Sequence, residues 1–366
     1  MSPGRPPKTL LMLCSSLGLG NSTRLMGIAQ AIRHRFRVPR EALRIVVGTG
    51  GTSVQFWEAA APAVQADILP LGAYRFAPQQ SQSTRIGWFG FVHPRNAGVY
   101  LRNSLSLRAF LKATAVDLAV IDSDYHCLPL LLSRTPIVAL GQAWDVIRRY
   151  ESAGKRTTIS RWSMIIEKLD FLFQRSVSRR ILVPAFESVR TGRRNTETVP
   201  LIVREQFGVP AGRSADAAGP IQVLLGGSGI GSAALLAYAR RYDLPVIKSR
   251  QGSTWALDER GLPLIDLAPA VVIQGGLSSI SECIARRRKM IVLPLEGHAE
   301  QLANALEVER RGLGLRAADL SDPPSVWLER LDRMSPPEAE DSWPRVDGAQ
   351  VAAQLLLKLL GFDAVA

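Results

Sequence analysis

Residues 271–305, VVIQGGLSSISECIARRRKMIVLPLEGHAEQLANA, contain the most informative pattern of strands and turns in the chain. The first three residues of this stretch predict a buried strand, a Gly-Gly turn follows, and a helix opens at two serines. A second apolar strand over 290–293 then leads into a polar loop that contains Gln301 and Asn304. This alternation of strand, helix and strand is typical of parallel α/β sheets.

The turn and the helix start have the composition of an anion site. Gly275 and Gly276 let the backbone turn tightly and approach a ligand without a Cβ in the way. Ser278 and Ser279 can cap the helix, and the free N–H groups of its N-terminus suit phosphate oxygens. Glu282, one turn further, interacts favourably with the helix dipole, and its functional interpretation is a carboxylate that accepts from ribose hydroxyls. A well-capped helix that binds no ligand explains the same residues.

Two further glycine loops follow apolar strands. Near the start, the segment SSLGLGNSTR contains Gly18 and Gly20 and leads into a helical run. The segment QVLLGGSGIG, residues 222–231, repeats the arrangement and carries Gly227 and Ser228. Strand, glycine loop and helix again favour anion binding, although a simple strand-to-helix turn is the alternative.

The order of these elements resembles the nucleotide-sugar signature of GT-B glycosyltransferases, in particular the bacterial and archaeal group that includes the UDP-N-acetylglucosamine transferase of lipid II synthesis. The resemblance rests on Gly-Gly-x-Ser-Ser-x-x-Glu from Gly275, on Leu-Pro-Leu at 293–295 and on Glu-Gln-x-x-Asn-Ala from Glu300. It implies an α/β chain with two Rossmann-like domains whose parallel sheets face each other across a cleft. It also implies metal-independent, inverting transfer of a sugar from a nucleotide diphosphate, with a uridine nucleotide as the expected donor and no cofactor.

In that family the donor lies against the glycine loops and the polar loop of the second domain. By resemblance, Glu300 and Gln301 are expected to bond sugar hydroxyls, because acid and amide side chains make directional hydrogen bonds. The segment VPLIVREQF, residues 199–207, resembles the family's interdomain hinge, and the C-terminal WPRVDGAQVAAQLLLKLLG resembles its last helix, which packs back on the first domain. The residues expected at the donor are Gly18, Gly20, Arg24, Arg204, Gly227, Ser228, Gly275, Gly276, Ser278, Ser279, Glu282, Glu300, Gln301 and Asn304.

The catalytic base is less well defined by the sequence. Asn21 stands where relatives carry a histidine, and an amide cannot take a proton at neutral pH. The segment LAVIDSDYHC, residues 118–127, resembles the family's acidic turn and places polar side chains beyond a strand, where α/β sheets build their sites. Asp122 is the preferred base or base-orienting residue, with Asp124 and His126 behind it. A turn-forming aspartate that caps the next helix is an equally valid interpretation of Asp122.

Length and patterning indicate two domains. With 366 residues the chain is long for one domain, since domains usually hold roughly 100–200 residues. The division is predicted near 200–220, in the segment AGRSADAAGP, which gives an acceptor-side domain over 1–200 and a nucleotide-sugar domain over 201–366. Short apolar strands are predicted at 9–13, 44–48, 118–121, 137–140, 181–183, 222–225, 245–247, 271–273 and 290–293.

Cysteines and histidines are sparse. The 3 cysteines and 4 histidines show no spacing typical of a metal site or a disulfide framework, so a reducing cytosol and no metal are expected. The apolar run after Lys8 is short and is followed at once by a glycine loop, which favours a first strand over a signal peptide. Since a membrane-spanning helix needs about 20 apolar residues, none is expected.

The charge predicts an anionic partner. Lys and Arg number 45 against 32 Asp and Glu, a formal net charge of +13. No nucleic-acid reading module is recognisable, so nucleic acid is not expected and an anionic membrane surface is the better candidate. In RIGWFGFVHPRNAGVYLRN, residues 85–103, Trp88, Phe89 and Phe91 lie beside cations such as Arg95, as at a headgroup interface; a mobile acceptor-site loop is the alternative.

A second amphipathic segment is RWSMIIEKLDFLFQRSVSRR, residues 161–180. Its apolar residues recur at helical spacing, which favours an ordinary core-facing helix with a solvated basic side over a membrane-binding helix. Together these features predict a cytoplasmic protein, peripheral on the inner face of the membrane, that transfers a sugar to a lipid-linked or other hydrophobic acceptor. A nucleotide-sugar hydrolase or epimerase on the same scaffold is the alternative enzyme, and a non-catalytic nucleotide-sugar-binding subunit is the third interpretation.

Overall fold

A computed structural model describes residues 6–16, 18–74, 96–153, 159, 161–208, 219–226, 231–247, 257, 263–334 and 343–362. Within these residues, two parallel β-sheets are each flanked by helices, one sheet in either half of the chain. The predicted class, an α/β chain with two parallel sheets, is therefore confirmed.

The first sheet has seven strands in the order β3-β2-β1-β4-β5-β6-β7, all paired in parallel. Its strands are β1 (Lys8–Cys14), β2 (Leu43–Gly50), β3 (Ala66–Leu71), β4 (Leu118–Asp122), β5 (Ile137–Leu140), β6 (Arg180–Pro184) and β7 (Thr196–Val199). Its helices are α1 (Leu19–Gln30), which continues as a π-helical segment (Ala31–Arg35), α2 (Thr52–Val64), α3 (Asn96–Ala113), α4 (Leu128–Leu132), α5 (Ala143–Ala153) and α6 (Arg161–Val177).

The second sheet has five parallel strands in the order β12-β11-β10-β8-β9. Its strands are β8 (Gln222–Leu224), β9 (Val246–Ile247), β10 (Ala270–Ile273), β11 (Lys289–Val292) and β12 (Gly314–Arg316). Its helices are α7 (Ser232–Arg241), α8 (Leu277–Ala285), α9 (Ala299–Arg310), α10 (Pro324–Asp332) and α11 (Gly348–Leu359), with short 3₁₀ turns at Glu205–Phe207 and Leu264–Leu267.

The central strands are continuous apolar runs because helices cover both faces of each sheet. Leu10 to Leu13 in β1 and Val271 to Ile273 in β10 are fully buried. All nine predicted strands are present within two residues of their predicted ends. The sequence missed β3, β7 and β12, whose side chains are mostly only partly buried and whose composition is mixed.

Both sheets reverse their strand order at a point that creates a crevice. In the first sheet the order reverses between β1 and β4, and in the second between β8 and β10. Ligands of open α/β sheets bind outside the carboxyl ends of the strands at such switch points. The fold thus points to Ser15 and Ser123 on one side and to Gly226 and Gln274 on the other as the floor of a site.

The C-terminal helix packs back on the first half of the chain. Helix α11 packs on α1 and on the π-helical segment that continues it. The segment after β7 lies close to both helices at positions that lack a side chain: a Cβ on Gly27 of α1 would lie 2.5 Å from the Val203 carbonyl oxygen, and a Cβ on Gly348 of α11 would overlap the Pro200 carbonyl oxygen. The first sheet ends at Val199 and the second begins at Gln222, while most of the predicted linker lies outside the described residues.

The orientation of helix α6 differs from the core-facing helix that was predicted for residues 161–180. The segment is helical, but its apolar stripe faces solvent and not the core: Trp162 is 74% exposed, Leu169 53% and Leu172 60%. The face that packs inward contains Met164, Phe171 and two polar residues. Separately, no helix within the described residues is both long and apolar enough to cross a membrane.

Candidate functional site

A cavity of about 290 Å³ lies between the two sheets, at the point where both switch points meet. From the first half it is lined by Ser15, Gly18, Leu19, Gly20, Asn21, Arg24, Ser123, Tyr125, Ile166, Glu167 and Asp170. From the second half it is lined by Leu224, Gly226, Gln274, Gly276, Leu277, Ser278, Ser279, Leu295, His298, Glu300 and Gln301. Nine of the residues predicted at the site therefore lie together on its wall.

The first glycine loop is shorter than the sequence suggested. Gly18 is extended, and α1 already begins at Leu19, so Gly20 and Asn21 lie in the first turn of the helix. The free N–H groups of this turn and the positive end of the helix dipole are therefore at the cavity wall. The N-cap residue, Gly18, has no side chain that could cap α1.

Arg24 is held in place by two side chains. Its Nε donates to Asp122 Oδ2 over 3.0 Å and its Nη2 donates to Asp122 Oδ1 over 2.6 Å, a bidentate pair. The Nη2 group also donates to Asn21 Oδ1 over 2.7 Å. Burial raises the pKa of the Asp122 carboxyl, and the Arg24 guanidinium opposes that rise. Asp122 is fully buried with both oxygens bound by Arg24, so the structure places it as the anchor of Arg24 and not on the cavity wall where a base is needed.

Asp124 and His126 form a separate buried network. His126 Nδ1 lies 2.8 Å from Asp124 Oδ1, and His126 Nε2 lies 2.5 Å from the Tyr74 hydroxyl and 3.1 Å from Asn103 Nδ2. Because Asn103 Oδ1 accepts from the Gly72 N–H over 2.6 Å, Asn103 presents its NH₂ group to the imidazole. Nε2 is then the acceptor and Nδ1 carries the proton. Neither Asp124 nor His126 lines the cavity, so both expected supports of the base lie behind the site.

The two glycines of the Gly-Gly turn in the second half have different surroundings. A Cβ on Gly275 would lie 2.4 Å from the Gln301 carbonyl oxygen, so this glycine lets the turn pack against α9. A Cβ on Gly276 would meet no atom of the described residues within 4 Å, which leaves the backbone there accessible to a ligand. The Ser278 hydroxyl donates to the Gly20 carbonyl oxygen over 2.9 Å, across the cleft. Ser279 is only partly buried and lies on the cavity wall.

Arg204 and Glu282 are paired with each other. Arg204 Nε donates to Glu282 Oε1 over 3.0 Å, and its Nη2 lies 2.9 Å from the same oxygen. Burial raises the pKa of the Glu282 carboxyl, and the Arg204 charge opposes the rise. Both side chains are almost fully buried and neither lines the cavity. The structure therefore shows a buried link between the segment after β7 and α8, at the position where the resemblance implies ribose binding.

The polar loop and α9 supply the remaining predicted donor residues. Glu300 and Gln301 lie on the cavity wall, and Gln301 Oε1 accepts from the Leu295 N–H over 3.0 Å. Asn304 is fully buried and does not reach the cavity. Its amide donates to the Gly275 carbonyl oxygen over 3.0 Å, and its oxygen accepts from Gln142 Nε2 over 3.0 Å. Asn304 thus holds the Gly-Gly turn to the first half of the chain.

Six predicted residues lie outside the described residues. Gly227 and Ser228 of the third glycine loop belong to this group, as do the aromatic and basic residues of the proposed membrane loop, Trp88, Phe89, Phe91 and Arg95.

Several residues of the cavity wall were not predicted. Glu167 and Asp170 lie one turn apart on α6, a segment whose sequence is marked mainly by its apolar spacing. Tyr125 lies between two residues that were singled out, and Gln274 immediately precedes the Gly-Gly turn. His298, in the donor loop, precedes the first residue of α9. The acid pair at i, i+3 was the one signal available for α6, because such residues share a helix face.

The wall carries several groups with shifted pKa values. Burial raises the pKa of Asp170 to about 6, with Glu300 and Asp122 adding to the rise and hydrogen bonds from Tyr125 and Gln174 opposing it. Burial and the neighbouring Glu300 and Asp170 raise the pKa of Glu167 well above its ordinary range. Burial lowers the pKa of His298 and favours its neutral form. Perturbed groups in a cleft are typical of functional sites.

In the part of the chain that the structure describes, no group of three or more His, Cys, Asp or Glu side chains is arranged to hold a metal ion. The three cysteines of the chain are buried and have free thiols.

Comparison with known proteins gives two partial sequence matches. Residues of this chain are 34% identical over 107 residues to an uncharacterized glycosyltransferase of Methanosarcina acetivorans, covering 27% of this chain and 28% of that protein. They are 34% identical over 127 residues to an uncharacterized glycosyltransferase of Methanopyrus kandleri, covering 31% of this chain and 36% of that protein. The match thus spans about a third of the length of these curated relatives. No family model matches the chain.

Solved structures match nearly the whole chain. The glycotransferase of kitacinnamycin aligns with a TM-score of 0.54 at 16% identity, covering 98% of this chain and 100% of its own. MurG of Acinetobacter baumannii aligns with a TM-score of 0.54 at 13% identity, covering 96% and 100%. The Streptomyces sp. SF2575 glycosyltransferase SsfS6, in complex with thymidine diphosphate, aligns with a TM-score of 0.50 at 15% identity, covering 95% and 99%. The fold of this chain is therefore the GT-B glycosyltransferase fold, as the sequence resemblance implied.

Proposed function

We propose that this protein is a GT-B glycosyltransferase that moves a sugar from a nucleotide diphosphate, with uridine as the expected base, to an acceptor hydroxyl. The observation that carries the proposal is the cavity at the two facing switch points, with the N-termini of α1 and α8 on opposite walls. Helix N-termini bind phosphate oxygens through free N–H groups and the helix dipole. A diphosphate between the two helices would receive donors from both halves of the chain.

The comparisons support the same class. Both partial sequence relatives are named glycosyltransferases, and the structural neighbours with a TM-score of at least 0.50 include one that holds thymidine diphosphate. The proposal extends to this chain the binding of a nucleoside diphosphate. It also takes from the resemblance a metal-independent, inverting displacement.

The chemistry requires stabilisation of the leaving diphosphate. In the proposed reaction the acceptor oxygen bonds to the anomeric carbon while the bond from that carbon to the β-phosphate oxygen breaks, and negative charge grows on the diphosphate. Preorganised donors and cations stabilise such charge. Arg24, fixed by Asp122 and Asn21, and the open backbone at Gly276 are the groups on the wall that we assign to this task, with Ser279 as a hydroxyl donor.

The acceptor is proposed to be lipid-linked or otherwise hydrophobic. Helix α6 lines the cavity with Ile166, Glu167 and Asp170 and exposes an apolar stripe, Trp162, Ile165, Leu169 and Leu172, on another face. Exposed cations on the same helix, Arg161, Lys168 and Arg175, suit an anionic membrane surface. A protein bound to the inner face of the membrane through this helix would place its cleft beside a membrane-borne acceptor.

A two-part experiment tests the proposal. A thermal-shift screen against nucleotides and nucleotide-sugars should find one uridine diphosphate sugar that raises the melting temperature, because a ligand that binds only the folded state stabilises it. The same donor is then incubated with membrane lipid extract, and with buffer alone. Sugar on the lipid supports transfer, free sugar without acceptor supports a hydrolase, and binding with neither product supports a non-catalytic subunit. A protein that binds no nucleotide contradicts the proposal.

A further inference from the structure

The proposed reaction needs a general base beside the acceptor hydroxyl. None of the residues predicted for that role is placed to take up the proton. Asn21 has an amide, Asp122 is buried with both oxygens bound by Arg24, and the Asp124–His126 pair lies behind the site. Among the described residues that line the cavity, four carry a carboxylate or an imidazole: Glu167, Asp170, His298 and Glu300.

Each half of the chain contributes two of these four groups. His298 and Glu300 lie at the start of α9, in the half that carries the Gly-Gly turn, and Glu300 is assigned to the donor sugar. Glu167 and Asp170 lie on α6, the helix whose outer face carries the exposed apolar stripe. A hydrophobic acceptor that enters along α6 therefore meets these two carboxylates first.

Glu167 is already engaged with the second half. Its carboxylate lies near Glu300, in the first turn of α9, and the Glu300 charge adds to the burial that raises the pKa of Glu167. The neighbouring Ser163 hydroxyl donates to the Gly297 carbonyl oxygen over 2.9 Å. The part of α6 that contains Ser163 and Glu167 therefore packs against the donor loop. Asp170, one turn further along the helix, is the other carboxylate that α6 presents to the cavity.

Asp170 has the geometry of an oriented base. The Tyr125 hydroxyl donates to its Oδ1 over 3.1 Å, and Gln174 Nε2 donates to its Oδ2 over 2.8 Å. Each carboxylate oxygen keeps a lone pair, since an ionised carboxylate offers about four acceptor positions. Gln174 is fixed in turn by close packing, because a Cβ on Gly141 would lie 2.5 Å from its Nε2 atom.

We propose that Asp170 is the general base of the transfer reaction, a role that rests on the proposed function. Its carboxylate takes the proton of the acceptor hydroxyl as the oxygen's electron pair forms the bond to the anomeric carbon, and the bonding pair to the phosphate oxygen leaves with the nucleoside diphosphate. Carboxylates face Asp170 from three elements: Glu167 on α6, Glu300 on α9 and Asp122 on β4. Burial, together with Glu300 and Asp122, raises the pKa of the Asp170 carboxyl to about 6, so Asp170 becomes an ionised base as the pH rises above that value.

The test compares Asp170→Asn with Asp332→Asn, the same chemical change at an exposed position on α10. Asp170→Asn is expected to lower kcat/KM for transfer by about 10²- to 10⁴-fold, the usual contribution of a general base, while the thermal shift with the nucleotide-sugar is retained. Asp332→Asn should match the wild type in both measurements. Transfer by Asp170→Asn within threefold of the wild type overturns the assignment.

The pH profile gives a second readout that a structural role would not change. The wild type should gain activity as the pH rises through about 6, and Tyr125→Phe should move this rise to higher pH because the Tyr125 hydrogen bond lowers the pKa of Asp170. If the pH profile of Tyr125→Phe does not move, Asp170 is not the base. The same holds if Glu167→Gln loses about 10²- to 10⁴-fold in kcat/KM, the loss that is expected for Asp170→Asn, while Asp170→Asn itself stays active. A wild type that binds nucleotide-sugar but transfers to no acceptor overturns the proposed function itself.

Discussion

The Ser278 hydroxyl donates a 2.9 Å hydrogen bond to the Gly20 carbonyl oxygen, so the first turns of α8 and α1 touch across the cleft. Both Ser278 and its neighbour Ser279 line the cavity, and Ser279 is the less buried of the two. Two adjacent serines that the sequence could not distinguish therefore have different surroundings: one joins the halves of the chain and the other faces the proposed diphosphate.

Alanine substitutions should separate these two roles. Ser278→Ala is expected to lower the free energy of unfolding by about 1 kcal/mol, the usual net value of one hydrogen bond. Ser279→Ala should change it by less than about 0.5 kcal/mol and should weaken nucleotide-sugar binding, because it removes a donor from the cavity wall. Urea unfolding and ligand titration measure the two quantities. The reverse pattern would show that Ser278 is the ligand contact.

The Arg24–Asp122 pair predicts a variant that loses binding as well as turnover. Asp122→Asn leaves the buried Arg24 charge without its counter-ion, and breaking a buried pair costs about 3–5 kcal/mol. Because Arg24 would also lose its orientation, nucleotide binding should weaken together with transfer. Thermal-shift titration checks this. A variant with normal binding and no transfer would instead restore Asp122 as the base.

The Arg204–Glu282 pair suits a double-mutant cycle. Glu282→Leu alone should destabilise by about 3–5 kcal/mol, because it leaves the Arg204 charge buried. Arg204→Met combined with Glu282→Leu should recover at least half of that loss, since two apolar side chains need no counter-charge. Additive losses would contradict a direct pairing. If Glu282 also binds ribose, the double variant will be stable but will respond weakly to nucleotide.

The apolar stripe of α6 predicts membrane binding that depends on single leucines. Leu172→Glu is expected to abolish sedimentation with vesicles that contain anionic lipid and to leave the melting temperature unchanged, because the side chain is already 60% exposed. Leu267→Glu, at a position 59% exposed in the second half, is the matched control and should bind like the wild type. Equal sedimentation of all three proteins would show that this helix does not bind the membrane.

Glu307 predicts acid sensitivity. Burial alone would raise the pKa of its carboxyl, but hydrogen bonds from Arg310 and Arg311 hold the pKa at about 2, below the ordinary value of 4.5. A lowered pKa stabilises the folded state above pH 4.5, and this contribution, about 3 kcal/mol at most, is lost as the pH falls from 4.5 towards 2. Glu307→Gln should therefore be less stable than the wild type at pH 7, with the difference shrinking below pH 4. A constant difference across this range would contradict the assignment.

The sheets could be predicted because their central strands are covered on both faces and read as unbroken apolar runs. Strands β3 and β7, which form the two edges of the first sheet, carry polar residues and lack that signal. The glycine turns and their positions at the ends of strands were likewise readable, since few other residues permit such turns.

The partners of charged side chains could not be predicted. Nothing in the sequence indicates that Asp122 is bonded to Arg24, 98 residues away, or that Glu282 is bonded to Arg204. Both carboxylates follow a functional motif, and each is satisfied by a cation that the fold brings to it. Asp170 was not predicted because the sequence of α6 shows a clear periodic pattern only in its apolar residues, and the acids between them belong to no recognised motif.

The position of Asn304 restricts how such proteins can be recombined. Its amide group bonds Gly275 within its own half and Gln142 in the other, so the shape of the Gly-Gly turn depends on a residue 162 positions earlier in the chain. A chimera that joins the first half of one relative to the second half of another would leave this amide unmatched unless both positions came from the same parent. Residues 142 and 304 should therefore be exchanged together.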